Sequence, residues 1–115
     1  MDAHAVVVAD TGGTITRWSD GATRLFGWSE SEAVGTSLDL LVPERLREAH
    51  WAGFRRAMRD PKINDLAADL PVRCSDGEVR EFAGRLLVLA DGLGVALGAM
   101  AIYTDTGSTG LRPFG

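Results

Sequence analysis

The chain holds a single cysteine, Cys74, among its 115 residues. That excludes an internal disulfide, and no Cys/His cluster at ligand spacing offers a structural zinc site, so the scaffold must rest on an ordinary core in a reducing compartment. Positive charge is also in short supply: 12 basic residues face 16 acidic ones, a net −4. Only helix-borne arginines cluster, which speaks against a nucleic-acid surface. No apolar run approaches the ~20 residues of a membrane span. The start, MDAHAVVVAD, lacks the charged region and cleavage site of a secretory leader. A phosphate-cradling GxxxxGK[ST] and a nucleophile elbow are missing, and the only histidine besides His50 is His4, so no enzyme is expected. The expectation is a cytoplasmic protein with no membrane or nucleic-acid partner.

What is present fits one domain. Domains cluster near roughly 100–150 residues, and at this length about two-thirds of the unfolded surface is buried on folding. The composition, 45% hydrophobic and 24% charged, is that of an ordinary globular chain. The unusual count is 14 glycines.

Along the chain, Ala5–Asp10 is a valine-rich run, and Thr11-Gly12-Gly13 supplies a turn before the alternating segment 14–18. Ser19 or Asp20 can cap a short helix over 21–26 that stops at Gly27. Ser29-Glu30-Ser31-Glu32 forms a capping pattern for a second helix ending near Gly35. Residues 38–42 form a third short turn. The longest helix is predicted from Pro43 to the Asp60-Pro61 stop. At about 100° per residue, Leu46, Gly53, Phe54 and Ala57 lie within about 60° of His50, which centres His50 on the apolar face. Three strand-like segments follow, 66–74, 79–90 and 94–104, separated by Ser75-Asp76-Gly77 and Asp91-Gly92 turns. Strands, helices and again strands in this order give an α+β domain with its helices on one face of an antiparallel sheet.

Alternation in the last two strands puts Arg80, Phe82, Gly84, Leu86 and Val88 in one row and Leu97, Ala99, Ala101 and Tyr103 in another. If these rows face the long helix, Gly84, Ala99, Ala101 and Ala68 make a patch of small side chains that leaves room for a ligand, with Leu70 beside it. A glycine inside a strand also fits a bulge, or crowding by Trp51 and Phe54. Turns, helix ends and the tail account for Gly12, Gly13, Gly27, Gly35, Gly77, Gly92, Gly107, Gly110 and Gly115. Among the others, Gly53 on the inner helix face and Gly84 on the facing strand are read as places that keep space.

The order of elements, with Trp-Ser-Asp-Gly-Ala-Thr-Arg-Leu-Phe-Gly-Trp-Ser at 18–29, Glu32-Ala33-Val34-Gly35, Leu41-Val42-Pro43-Glu44-Arg45 and the Ser75-Asp76-Gly77 turn, resembles the PAS sensor-domain family. Asp105-Thr106 lies where that family carries an Asp-x-Thr signal-transfer element, although Gly107 replaces its last residue. The resemblance implies a five-stranded antiparallel sheet, short helices and one long helix packed on one face over a small-molecule cup. Residues 1–106 would be the PAS domain and 107–115 a linker or tail.

Within Pro43-Glu44-Arg45-Leu46-Arg47-Glu48-Ala49-His50, the spacing is similar to that of haem-binding PAS domains of the rhizobial oxygen-sensor type, whose proximal iron ligand then falls on His50. Arg56 matches a basic residue that meets a haem propionate there. The gas-contacting arginine position falls on Ala68, and the distal methionine position of dual-ligand relatives on Leu66. The resemblance therefore implies haem b on His50, five-coordinate in an apolar distal pocket. The cup residues would be His50, Leu46, Phe54, Arg56, Leu66, Ala68, Leu70, Gly84, Leu86, Ala99 and Ala101. The other readings stay open: His50 capping a carbonyl or hydrogen-bonding inside the cup, Arg56 on a solvated helix face, an unidentified apolar or lipid-like ligand, or no ligand. A flavin-adduct or thiol-attached chromophore is not expected, since Cys74 ends a strand. The expected function is a sensory, signal-transducing module for a small ligand or diatomic gas. It would act as a homodimer, with its output domain or partner outside this chain. The rival is a cofactor-free PAS domain for dimerisation or partner docking through the outer sheet face.

Overall fold

The structure, a computed structural model, describes residues 4–61, 65–105 and 107–110. Two strands open it, β1 (His4–Ala9) and β2 (Ile15–Trp18). Asp10 builds their turn, its Oδ1 accepting from the amides of Gly12 and Thr14. Then α1 (Asp20–Phe26) starts at Ser19, whose hydroxyl accepts from the Ala22 amide, and stops at Gly27 in the left-handed conformation. In α2 (Glu30–Ala33), Ser29 and Glu32 form a full capping box. A 3₁₀ turn at Leu38–Leu40 and another at Glu44–Leu46 lead into α3 (Arg47–Arg59). The long helix thus starts later than Pro43 suggests, because the first turn after the proline is wound as 3₁₀. The strands β3 (Asp65–Arg73), β4 (Val79–Ala90) and β5 (Ala96–Thr104) complete the sheet.

The sheet order is β2-β1-β5-β4-β3, every neighbouring pair antiparallel. The last strand therefore sits in the middle, with β1 on one side and β4 on the other. Register places Ala5 opposite Tyr103 and Val7 opposite Ala101, while Tyr103 pairs with Gly84 and Ala101 with Leu86. These residues share the inner face. The two inward rows read from the sequence are therefore correct in facing. Their ends differ from their centres: Leu97 is 58% exposed, so that row opens to solvent at one end. In the β4–β5 turn it is Gly94, not Gly92, that adopts positive φ, with Asp91 accepting from the Leu93 and Val95 amides.

The dense part of the core lies under α1. Phe26 meets Phe82 at 5.2 Å and Tyr103 at 5.0 Å between ring centroids, both edge-on, and Trp18 at 6.0 Å. The Trp18 indole donates to Thr23 Oγ1 and to the Trp28 carbonyl, and that of Trp28 to the Arg73 carbonyl. Trp18 is buried and Trp28 half-buried, and the polar edges of both stay satisfied. Burial pushes the Tyr103 phenol up to about 12, so it stays protonated at any ordinary pH.

One residue sets how closely α1 lies on the sheet. A Cβ on Gly21 would sit 1.6 Å from the His4 carbonyl oxygen, a backbone atom of β1 that cannot swing aside. A helical Gly→Ala change ordinarily stabilises by about 0.5–1 kcal/mol, whereas forcing an atom into a packed contact costs about 1–3 kcal/mol or more. The clash dominates. Gly21→Ala is expected to destabilise the domain by about 2 kcal/mol or more, read as a lower urea midpoint; unchanged or raised stability would show that α1 does not dock this tightly.

Candidate functional site

The side of α3 that faces the sheet carries Leu46 just before its first turn, then His50, Trp51 and Phe54. Leu46 and Phe54 are buried, and His50 and Trp51 half-buried. The three rings form one cluster: His50 lies 4.9 Å from Trp51 edge-on and 6.0 Å from Phe54 in a stacked arrangement, with Trp51 and Phe54 5.4 Å apart.

Trp51 fixes the rotation of this helix. Its indole N–H donates to Asp39 Oδ1 at 2.7 Å, and its six-membered ring lies over Gly13, where a Cβ would come within 2.2 Å of it. Gly13 also holds φ +81°, so both its space and its conformation call for glycine. Arg47 ties the same turn to α3, donating to the carbonyls of Asp39 and Val42. With Trp51 docked, the inner face is centred between His50 and Trp51. Gly53 is consequently exposed, with nothing within 4 Å of a Cβ placed on it. The expected space-keeping role of Gly53 on the inner face is therefore wrong.

Across from the helix, the inner sheet face presents Leu66, Ala68 and Leu70 from β3, Gly84 and Leu86 from β4, and Ala99 and Ala101 from β5. Ala68 pairs with Gly84, and Leu86 lies between Leu66 and Ala101, so these residues are contiguous. Gly84 also differs from expectation. Its missing side chain accommodates Leu70, whose Cδ1 would lie 2.6 Å from a Cβ there. The glycine keeps room for a protein side chain, neither a bulge nor a gap. Leu66 is 43% exposed and Arg56 is exposed, whereas Ala68 and Leu70 are buried. The structure thus brings His50, Phe54 and Leu46 together on the helical wall and the small and aliphatic residues together on the sheet, with Arg56 outside.

Two contributors escaped sequence reasoning, Asp39 and Gly13. Asp39 reaches Trp51 from twelve residues away, and no local spacing marks that contact. Gly13 looked like a turn residue, which it also is.

The imidazole of His50 is the unusual group. Its Nδ1 is buried and has no hydrogen-bond partner. That nitrogen does not cap a carbonyl, one of the ordinary roles open to a core histidine. Such a nitrogen carries a desolvation cost until something binds it. Burial holds the imidazole below its ordinary 6.5, while the negative charge of Asp39 pulls the other way. As pH falls, the unfolded chain takes up this proton first, so the stabilisation is complete above 6.5 and is lost as pH drops below it. Between about pH 7 and pH 5 the Tm of the cofactor-free protein is expected to fall more steeply than that of His50→Leu; equal slopes in the two proteins would mean that His50 titrates as it does in the unfolded chain.

Among the described residues no group of three or more His, Cys, Asp or Glu side chains could hold a metal ion, and no helix is long and apolar enough to cross a membrane. The chain matches the family model of the PAS fold over residues 3–105. It is 37% identical over 75 residues to the sensor protein FixL of Bradyrhizobium diazoefficiens, a match covering 64% of this chain and spanning 15% of that protein. Among solved structures it is similar to the PAS domain of a Colwellia psychrerythraea protein, with TM-score 0.78, 21% identity, and 91% of this chain and 87% of that one covered. It is also similar to the PAS-B domain of Drosophila melanogaster Cycle with bound ethylene glycol, with TM-score 0.68, 13% identity, and 85% and 94% covered. Residues 3–105 include every strand and helix described above, and the chain belongs to the PAS family.

Proposed function

We propose that this PAS domain is a sensory module that takes a small ligand between α3 and the inner face of the sheet, and that the ligand is haem b held by His50. One observation carries the reading: a half-buried imidazole with an unpartnered buried nitrogen lies on α3, the helix across from the alanine and aliphatic side chains of the inner sheet face. A neutral imidazole in an apolar setting is a good iron ligand, and the lowered proton affinity of His50 keeps it neutral near pH 7. Bound there, haem b would supply an iron that takes up diatomic gases. Phe54 would stack beside the ligating ring, as it does already at 6.0 Å. Ala68 and Leu66, at the positions of polar or sulfur groups in gas sensors of the rhizobial type, donate no hydrogen bond. Were haem held there, these two residues would give its open side an apolar lining, a setting that suits CO or NO better than O2. Arg56 is the cation on offer to a propionate, and its exposure lets it reach one at the protein surface. The relation to a sensor protein of which this chain spans 15% supports an output domain or partner beyond these residues.

A second reading, a cofactor-free domain that dimerises, rests on the other side of the sheet. There Val6, Val8, Leu87, Leu89, Met100 and Ile102 form a continuous apolar face that is only half-buried. The two readings separate in one experiment. Purified protein titrated with haemin is expected to develop a Soret band that shifts on reduction and CO addition and is lost in His50→Ala. Protein that stays colourless, or an unchanged band in His50→Ala, rejects haem on His50. The same preparations by light scattering, with Ile102→Arg as the interface variant, show whether the outer face pairs two copies.

A further inference from the structure

Asp69 lies on β3 between Ala68 and Leu70, whose side chains point inward, so its own points to the outer face of the sheet. An outward carboxylate is normally solvated. This one is 4% exposed.

The segment that follows β5 covers it. Thr104, at the end of β5, pairs with Ala83 of β4, and Ala83 pairs with Asp69. Further on, Gly107 holds φ +102°, and the residues after it lie against Asp69 on the edge strand β3. There the Ser108 hydroxyl donates to Asp69 Oδ2, while the Thr109 amide and hydroxyl donate to Oδ1 at 2.7 and 2.9 Å. The Gly110 amide donates in turn to the Ser108 hydroxyl at 3.0 Å. A buried carboxylate needs such partners, and hydrogen bonds to a charged acceptor are the strong kind. The residues read from sequence as a linker thus contain a docking motif for the sheet, and Gly107 has a conformational reason to stand where the family has threonine.

We propose that Asp69 is a latch: it clamps Ser108 and Thr109 across the outer face of the sheet, and displacement of β3 from the inner side releases them, freeing the chain beyond β5. The coupling is short. Asp69 shares its backbone with Ala68 and Leu70, and Leu70 fills the notch at Gly84. Anything that pushes Leu70 outward moves the carboxylate away from its donors. The latch stands on the fold alone, whatever His50 binds.

The test is amide hydrogen exchange on the full 115-residue chain, read at Thr109. In the wild type the Thr109 amide is expected to exchange about tenfold or more below its unprotected rate, Asp69→Ala to abolish that protection, and Asp69→Asn to keep part of it. Wild-type exchange at the unprotected rate, or full protection in Asp69→Ala, overturns the latch. For release, Gly84→Ala presses a methyl against Leu70 from the inner side. Thr109 is expected to exchange about threefold faster in that variant or more, and unchanged exchange overturns the coupling. Should Gly84→Ala not fold, linkage supplies the reciprocal reading in Asp69→Ala, because a strap that stabilises β3 must loosen β3 when removed. Faster exchange of the β3–β4 ladder amides there supports the coupling, and unchanged ladder amides overturn it.

Discussion

The placement of β5 between β1 and β4 is the constraint on which the rest of this domain depends. A strand with neighbours on both sides commits both rows of its side chains: one row must be covered by the helices, and the other faces away from them. In this chain the inner row is mostly small, with Ala99 and Ala101 ahead of Tyr103, and the outer row is apolar, with Met100 and Ile102. Because β5 is also the last strand, whatever alters its packing acts directly on the chain that continues from it. The nine residues of β5 give Ala99 and Ala101 to the inner face and Met100 and Ile102 to the outer face, and the segment that reaches Asp69 follows them.

The inner face is divided by side-chain size. Towards α1 it is filled by Phe26, Phe82, Tyr103 and Trp18 in edge-on contact, and α1 itself is brought down on β1 through Gly21. Towards α3 the sheet offers alanine and aliphatic residues, and the aromatic groups come from the helix instead. Half of the cup is a packed core that gives the domain its stability. The other half is closed by a helix hung from Asp39 and Gly13 through one tryptophan, an arrangement that leaves Nδ1 of His50 without a hydrogen-bond partner.

The elements were legible for local reasons. Ser19 and Ser29 cap helices from their own positions, Gly27 ends one, and the Asp76-Gly77 and Asp91 turns separate strands whose alternation shows directly in the residue types. Inner and outer rows followed from the same alternation. The misreadings were of another kind. A helical wheel centred on His50 places Gly53 inside because it gives no weight to Trp51, whose docking turns the wheel. Gly84 was read as space for a ligand, a bulge or crowding from α3, because the residue that fills it, Leu70, lies on the neighbouring strand. Ser108 and Thr109 looked like linker because polar, glycine-flanked residues usually are, and their partner Asp69 is some forty positions earlier.

The sequence by itself determined the order of elements, the family and the identity of the one histidine on the apolar helix face, since each of these is written in spacing and residue type over a few turns. Only the tertiary structure decided what those residues touch. It left the nitrogen of His50 without a partner, closed the notch at Gly84 and buried Asp69 beneath the end of the chain. Each of these depends on contacts between strands and segments far apart in sequence, and such contacts exist only once the sheet order has brought them together.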